Sequence, residues 1–103
     1  MRVLKEGHRY ICKNFESENG QTIQFIEKEP KEGTTIGELI TVNDGTTNEE
    51  ILEMLIDRMN YLQGKFPCRE NALVITKLEE SLMWLNKRTQ DRMKRNVEGK
   101  QLK

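Results

Sequence analysis

From residue 9 to residue 25 the apolar positions recur with a period close to two. Ile11 and Phe15 fall on one side, Tyr10 and Cys12 on the other, and Ile23 and Phe25 continue the rhythm beyond a turn. Asn19-Gly20 supplies the two residues that most readily take the positive φ angles of a type I′ turn, so residues 9–28 predict a β-hairpin. The charged stretch at residues 29–35 predicts a loop, and "IGELITV" over residues 36–42 a third short strand.

After residue 47 the period changes to that of a helix. Ile51, Leu52, Leu55, Ile56, Met59 and Leu62 form an apolar stripe. Thr47, followed three residues later by Glu50, forms a capping box signature, and the acidic first turn suits the helix dipole. Gly64 is expected to stop this helix as a C′ residue. A second helix begins near Pro67 or Cys68, proline being tolerated in a first turn. Its inward stripe is Ala72, Ile75, Leu78, Leu82 and Leu85, and it continues to about residue 96. Val74, Met83 and Trp84 extend the apolar surface beyond what one partner helix covers. The element order is α+β, in one domain: an antiparallel sheet of about three strands over residues 1–42, a helical hairpin over 43–97, and a flexible tail at 98–103.

Composition narrows what such a domain can do. The 103 residues are 35% hydrophobic and 33% charged, so the core is modest and pairing with further copies would complete it. The net charge is zero, which argues against DNA or RNA binding through a broad basic surface. The charge is nevertheless uneven: residues 27–57 carry nine acids and two lysines, residues 86–103 seven bases and two acids. Cys12 and Cys68 stand far apart, and with the lone His8 they give no zinc spacing. Nothing resembles a signal peptide, and no apolar run approaches the ~20 residues of a membrane span, so a soluble, intracellular protein without a membrane role is expected.

No catalytic constellation stands out, and no cofactor or metal is implied. Asn43, Asp44, Gly45, Thr46 and Thr47 lead into a helix N-terminus, where free N–H groups attract anions, although the turn also reads as an ordinary Asx turn. Arg88 and Arg92 share a helix face at i,i+4, and two guanidinium forks suit a pyrophosphate or phosphodiester. A salt-bridged surface is the alternative, since Asp91 can pair with Arg88, Lys87 or Arg95. Arg69 and Asn71 stand beside Phe66 at the head of the same helix. Asparagine can bond a base edge or a ribose hydroxyl, and an aromatic ring can stack on adenine. On a straight helix Asn71 and Arg88 are ~25 Å apart. They can line one pocket only if the head of one copy's helix meets the tail of another's, in an antiparallel homodimer.

"NDGTTNEEILEMLIDRMNYLQGKFPCRENALVITKLEESLMWLNKRTQDR" resembles the first described family of phage anti-Thoeris sponge proteins. Residues 72–85 also resemble the helical hairpin of the related anti-CBASS sponges. The resemblance covers about residues 43–95 and is most specific at "FPCREN" and at "KLEESLMW". It implies a non-enzymatic protein in the cytoplasm of an infected bacterial host. Such a protein would bind cyclic ADP-ribose isomers made by TIR-domain proteins and hold them intact between copies. It implies binding roles for Asn71, Arg88 and Arg92, with Tyr61 or Phe66 as the stacking surface and with Arg69 and residues 43–47 in support. Some relatives assemble to hexamers and hold cyclic di- or trinucleotides at a separate site. Outside this family, the same features fit a helical hairpin that docks on a host protein through Met83 and Trp84.

Overall fold

A computed structural model describes residues 1–33 and 37–95. Ile36, expected to open the third strand, and the expected tail at 98–103 lie outside the described residues. The chain divides into two compact units with their boundary between Thr47 and Asn48. Antiparallel strands make up the first unit and two helices the second, the α+β order expected.

In the first unit β1 (Arg2–Lys5), β2 (Arg9–Lys13) and β3 (Gly20–Gln24) form a sheet in the order β1-β2-β3. The chain reverses from β1 to β2 through Gly7, whose φ of 77° is a left-handed value that glycine adopts without strain, while the His8 N–H donates to the Lys5 carbonyl at 3.0 Å. β1 was not foreseen, because "RVLK" carries too little alternation to be read as a strand. β4 (Glu27–Pro30) and β5 (Leu39–Asn43) form a separate two-stranded sheet. Glu29 and Pro30, read as loop, therefore belong to a strand. With only one partner strand and open faces, such a strand tolerates charges and proline.

The β2–β3 connection also differs from expectation. Gly20 pairs with Lys13 as the first residue of β3, and residues 14–19 form the loop. Asn14 closes this loop: its N–H donates to the Asn19 carbonyl at 2.9 Å, and its side chain bonds Ser17 and Gln21. Phe15 sits in the loop at 98% exposure rather than on a strand face. What glycine provides at position 20 is space, since a Cβ would lie 2.5 Å from the Ile11 side chain and 2.7 Å from the Cys12 carbonyl oxygen.

One carboxylate ties the two sheets of this unit together. Glu27, in β4, is 3% exposed; it accepts from the Lys5 ammonium of β1 and, at 2.9 Å, from Asn43 Nδ2 of β5. The Lys5 bond, then the Asn43 bond, hold its carboxyl below the usual glutamate range. Edge-to-face packing of Tyr10 on Phe25, with centroids 5.9 Å apart, adds apolar contact nearby in sequence.

The second unit is a helical hairpin of α1 (Asn48–Lys65) and α2 (Arg69–Lys94). Glu49 and Glu50 occupy the first turn of α1 and Lys65 its last, matching the helix dipole at both ends. Gly64 does not stop α1. The helix runs through it to Lys65, and the Phe66 N–H donates to Leu62 at 2.9 Å. Along α1, Ile51, Leu52, Ile56, Met59 and Leu62 are half-buried, while Leu55 is exposed. Along α2, Ile75 is 9% exposed, the one apolar side chain among the described residues that counts as buried. Leu78, Leu82 and Leu85 are half-buried, and Ala72 is exposed.

Because the Glu27 carboxyl is held low, its contribution is complete above the ordinary carboxylate range, near about 4.3, and is lost as pH falls through the lowered value. Glu27→Gln should lower the melting temperature at pH 7 more than Glu29→Gln, with the gap narrowing below pH ~4. Thermal melts at several pH values check this; an unchanging gap would remove the carboxylate from the role.

Candidate functional site

The hairpin turn is built by side chains of both helices. Cys68 caps α2 with extended backbone angles (φ −153°, ψ 160°), and its Sγ accepts from the Asn71 N–H at 3.4 Å. Gln63 reaches across from α1 and clasps the same residue twice. Its Oε1 accepts from the Cys68 N–H and its Nε2 donates to the Cys68 carbonyl, both at 3.0 Å. The three-residue link Phe66-Pro67-Cys68 is closed by this clasp rather than by a glycine. Nothing in the periodicity of the chain had marked Gln63.

Of the expected site residues, Tyr61, Phe66, Arg69 and Asn71 belong to this end of the hairpin. Tyr61 is exposed, but the Lys65 ammonium lies 5.2 Å from its ring centroid, a cation–π arrangement that occupies one ring face. Phe66 is 77% exposed. Arg69 is exposed and Asn71 half-buried, with the Asn71 N–H already given to Cys68.

Arg88 and Arg92 lie far along α2 and have different surroundings. Arg92 is 5% exposed and engaged in an interaction of its own. Arg88 is exposed and lines a shallow depression of about 320 Å³ with Trp84, Lys87, Asp91 and Arg95. Asp91 pairs with Lys87 at 3.0 Å, and that bond holds its carboxyl below the usual range. Among the described residues Arg88 has no hydrogen bond or ion pair. The salt-bridged alternative thus applies to Lys87, and Arg88 keeps its guanidinium open. The depression carries Lys87, Arg88 and Arg95 against one acid, so its charge suits an anion. Trp84 had been read as an apolar anchor; its place one turn before Arg88 was visible as an i,i+4 spacing.

A larger groove, about 650 Å³, runs between the helices. It is lined by the apolar Ile56, Leu82 and Met83 and by Glu53, Asp57 and Glu79 against Lys87. That balance disfavours a phosphate.

Residues 43–47 belong to the first unit and are tied into it. Asn43 bonds Glu27, and Asp44 Oδ1 accepts from the Gly45 N–H at 2.9 Å. Thr46 bridges Phe25 in parallel: its N–H donates to the Gln24 carbonyl at 2.8 Å, and its carbonyl accepts from Ile26 at 2.9 Å. A Cβ at Gly45 would lie 2.4 Å from the Gln24 carbonyl oxygen. Several of the turn's polar groups are therefore already used internally. Among the described residues no three His, Cys, Asp or Glu side chains come together as a metal site, and no helix is long and apolar enough to cross a membrane.

The architecture is that of antiparallel strands followed by a helical hairpin. Residues 18–90 match the family described as "Acb2/Tad1, hairpin domain", and the chain belongs to it. It is also 51% identical over 75 residues to the protein "Thoeris anti-defense 1" of Bacillus phage SBSphiJ7. That match takes in 61% of this chain and 53% of the relative, so the chain spans about half the length of the curated relative it matches. The family is the one that residues 43–95 resemble.

Gln63→Ala removes both clasp bonds and should destabilise the hairpin by about 1–2 kcal/mol. Denaturant unfolding followed by helical circular dichroism measures it, and a change below about 0.3 kcal/mol would show that the turn closes without the clasp.

Proposed function

We propose that this protein is a non-catalytic anti-defence sponge. It binds a cyclic ADP-ribose isomer made by host TIR-domain proteins and sequesters it uncleaved, so blocking Thoeris immunity in the cytoplasm of an infected bacterium. The observation that carries this reading is membership of the Acb2/Tad1 hairpin family together with the 51% identity to a phage protein named for Thoeris anti-defence. The open Arg88 in a cationic depression supports it physically, since a guanidinium with no internal partner is available to a diphosphate.

The proposed pocket lies between copies. Asn71 and Arg88 are on one helix, ~25 Å apart, and an antiparallel homodimer brings the turn end of one hairpin to the Arg88 end of the other. Asn71, with Arg69, then faces the ribose or base, and Arg88 the diphosphate. Arg92, buried one turn on, lends positive charge. Met54, Leu73, Val74, Met83 and Trp84 are exposed and supply apolar surface for such pairing. Further assembly to a hexamer, with cyclic di- or trinucleotides held at a separate site, belongs to the same proposal. Tight enclosure between copies slows release, which is what sequestration needs.

Incubation with a panel of cyclic ADP-ribose isomers and cyclic oligonucleotides, followed by native mass spectrometry, tests the reading. One ligand per copy in a dimer or larger assembly is expected, and chromatography after denaturation should return it intact. A cleaved product would make the protein a hydrolase. If the whole panel failed to bind, the exposed apolar face would favour docking on a host protein instead. Arg88→Glu should weaken binding on the order of 100-fold with an unchanged helical spectrum, and wild-type affinity in that variant would take Arg88 out of the site.

A further inference from the structure

In the first unit, Phe15 serves neither the packing of the sheets nor the proposed ligand site. At 98% exposure it is the most exposed large apolar side chain among the described residues. The loop that carries it is nevertheless tied. The Asn14 N–H donates to the Asn19 carbonyl at 2.9 Å, and the Asn14 side chain bonds Ser17 and Gln21 at 3.1 Å. A ring held out by a closed loop gives up little further freedom when it is buried. Glu16 follows it, and Glu18 lies on the same loop.

The surface beside the loop has the complementary character. Arg2 of β1 pairs with Ile11 of β2, and Lys13 lies two residues further on, so the three share one face of the sheet. Together with Met1 they line a depression of about 400 Å³ that reaches Glu18 and Gly20. Gly20 stands opposite Lys13 and puts no side chain into it. The lining is thus apolar at Met1 and Ile11 and cationic at Arg2 and Lys13, with one acid.

We infer that the Phe15 ring of one copy seats in this depression of a second copy, with Glu16 against Arg2 and Lys13. Ring and depression adjoin at one end of a single sheet, so a two-fold axis places each ring in the other copy's depression at the same time. Acid beside the ring then meets cation beside the depression twice over. Phe15 and the residues Met1, Arg2, Ile11 and Lys13 all precede the stretch 18–90 that matches the family. The contact is separate from the pairing of hairpins and does not depend on it.

The test uses the full chain with the photoreactive p-benzoylphenylalanine in place of Phe15, mixed with an isotope-labelled copy. After illumination, crosslinks joining a labelled to an unlabelled chain should fall on the peptides that carry Met1, Arg2, Ile11 or Lys13. Crosslinks confined to one chain, crosslinks to the hairpin, or none would overturn the contact. In parallel, sedimentation across a concentration series follows self-association. Phe15→Ser should weaken it roughly 10- to 100-fold with an unchanged melting temperature, because so exposed a ring adds little to the fold. Arg2→Glu with Lys13→Glu should weaken it as well, and adding Glu16→Lys should recover part of the loss. A Phe15→Ser variant that associates like the wild type would also overturn the contact. Neither experiment reads nucleotide binding, so the sponge reading stands or falls separately.

Discussion

Two helices packed side by side can cover only one seam on each other, and most of what is distinctive here follows from that limit. The hairpin has apolar residues on more than one face of each helix, yet Ile75 alone among the described apolar side chains is buried. Met54, Leu73, Val74, Met83 and Trp84 remain in solvent. Such a surface is costly for a free monomer and natural for a protein that finishes its core against another molecule. Open to solvent on the long helix are Arg69 at its head and Arg88 toward its tail.

Charge is distributed with the same economy. The inter-helix groove is acidic, while the far part of α2 is basic. Within the basic part, Lys87 neutralises Asp91 and leaves the neighbouring guanidinium unclaimed. An exposed ion pair of this kind contributes little to stability. What it does in the structure is pair Asp91 with Lys87 and not with Arg88. In the first unit the opposite arrangement holds, for Glu27 is buried with both its oxygens occupied. There the charge joins two small sheets that have little apolar surface to join them.

The helices were legible because their apolar residues recur over many turns and because Thr47 with Glu50 and Pro67 with Cys68 mark where each begins. The strands were less so. Asn19-Gly20 has the composition of a tight turn, but Gly20 is needed for the close approach of β2, a tertiary demand that local sequence does not display. Gly64 looked like a helix stop, yet the link is secured by Gln63, whose reach to Cys68 depends on how the helices pair. Arg88 and Arg92 are equivalent as letters four apart; only packing separates a buried cation from an open one. Residues 43–47 have the make-up of an anion-binding turn, and it is the bonds to Gln24, Ile26 and Glu27 that commit much of it to the fold.

The clasp of Gln63 on Cys68 also makes the hairpin a lever. The cap of α2 is a sulfur atom at 3.4 Å, a soft acceptor, and Gln63 of the other helix adds two bonds at the same residue. Arg88 lies 19 residues beyond Arg69, an arm of ~28 Å, and a tilt of about 5° at the turn would swing it by ~2.5 Å. That is close to the difference between a hydrogen bond and none. A substitution at Gln63 therefore acts on the distal guanidinium through the tilt of the helix, against the packing of Ile75, Leu78, Leu82 and Leu85 that resists it.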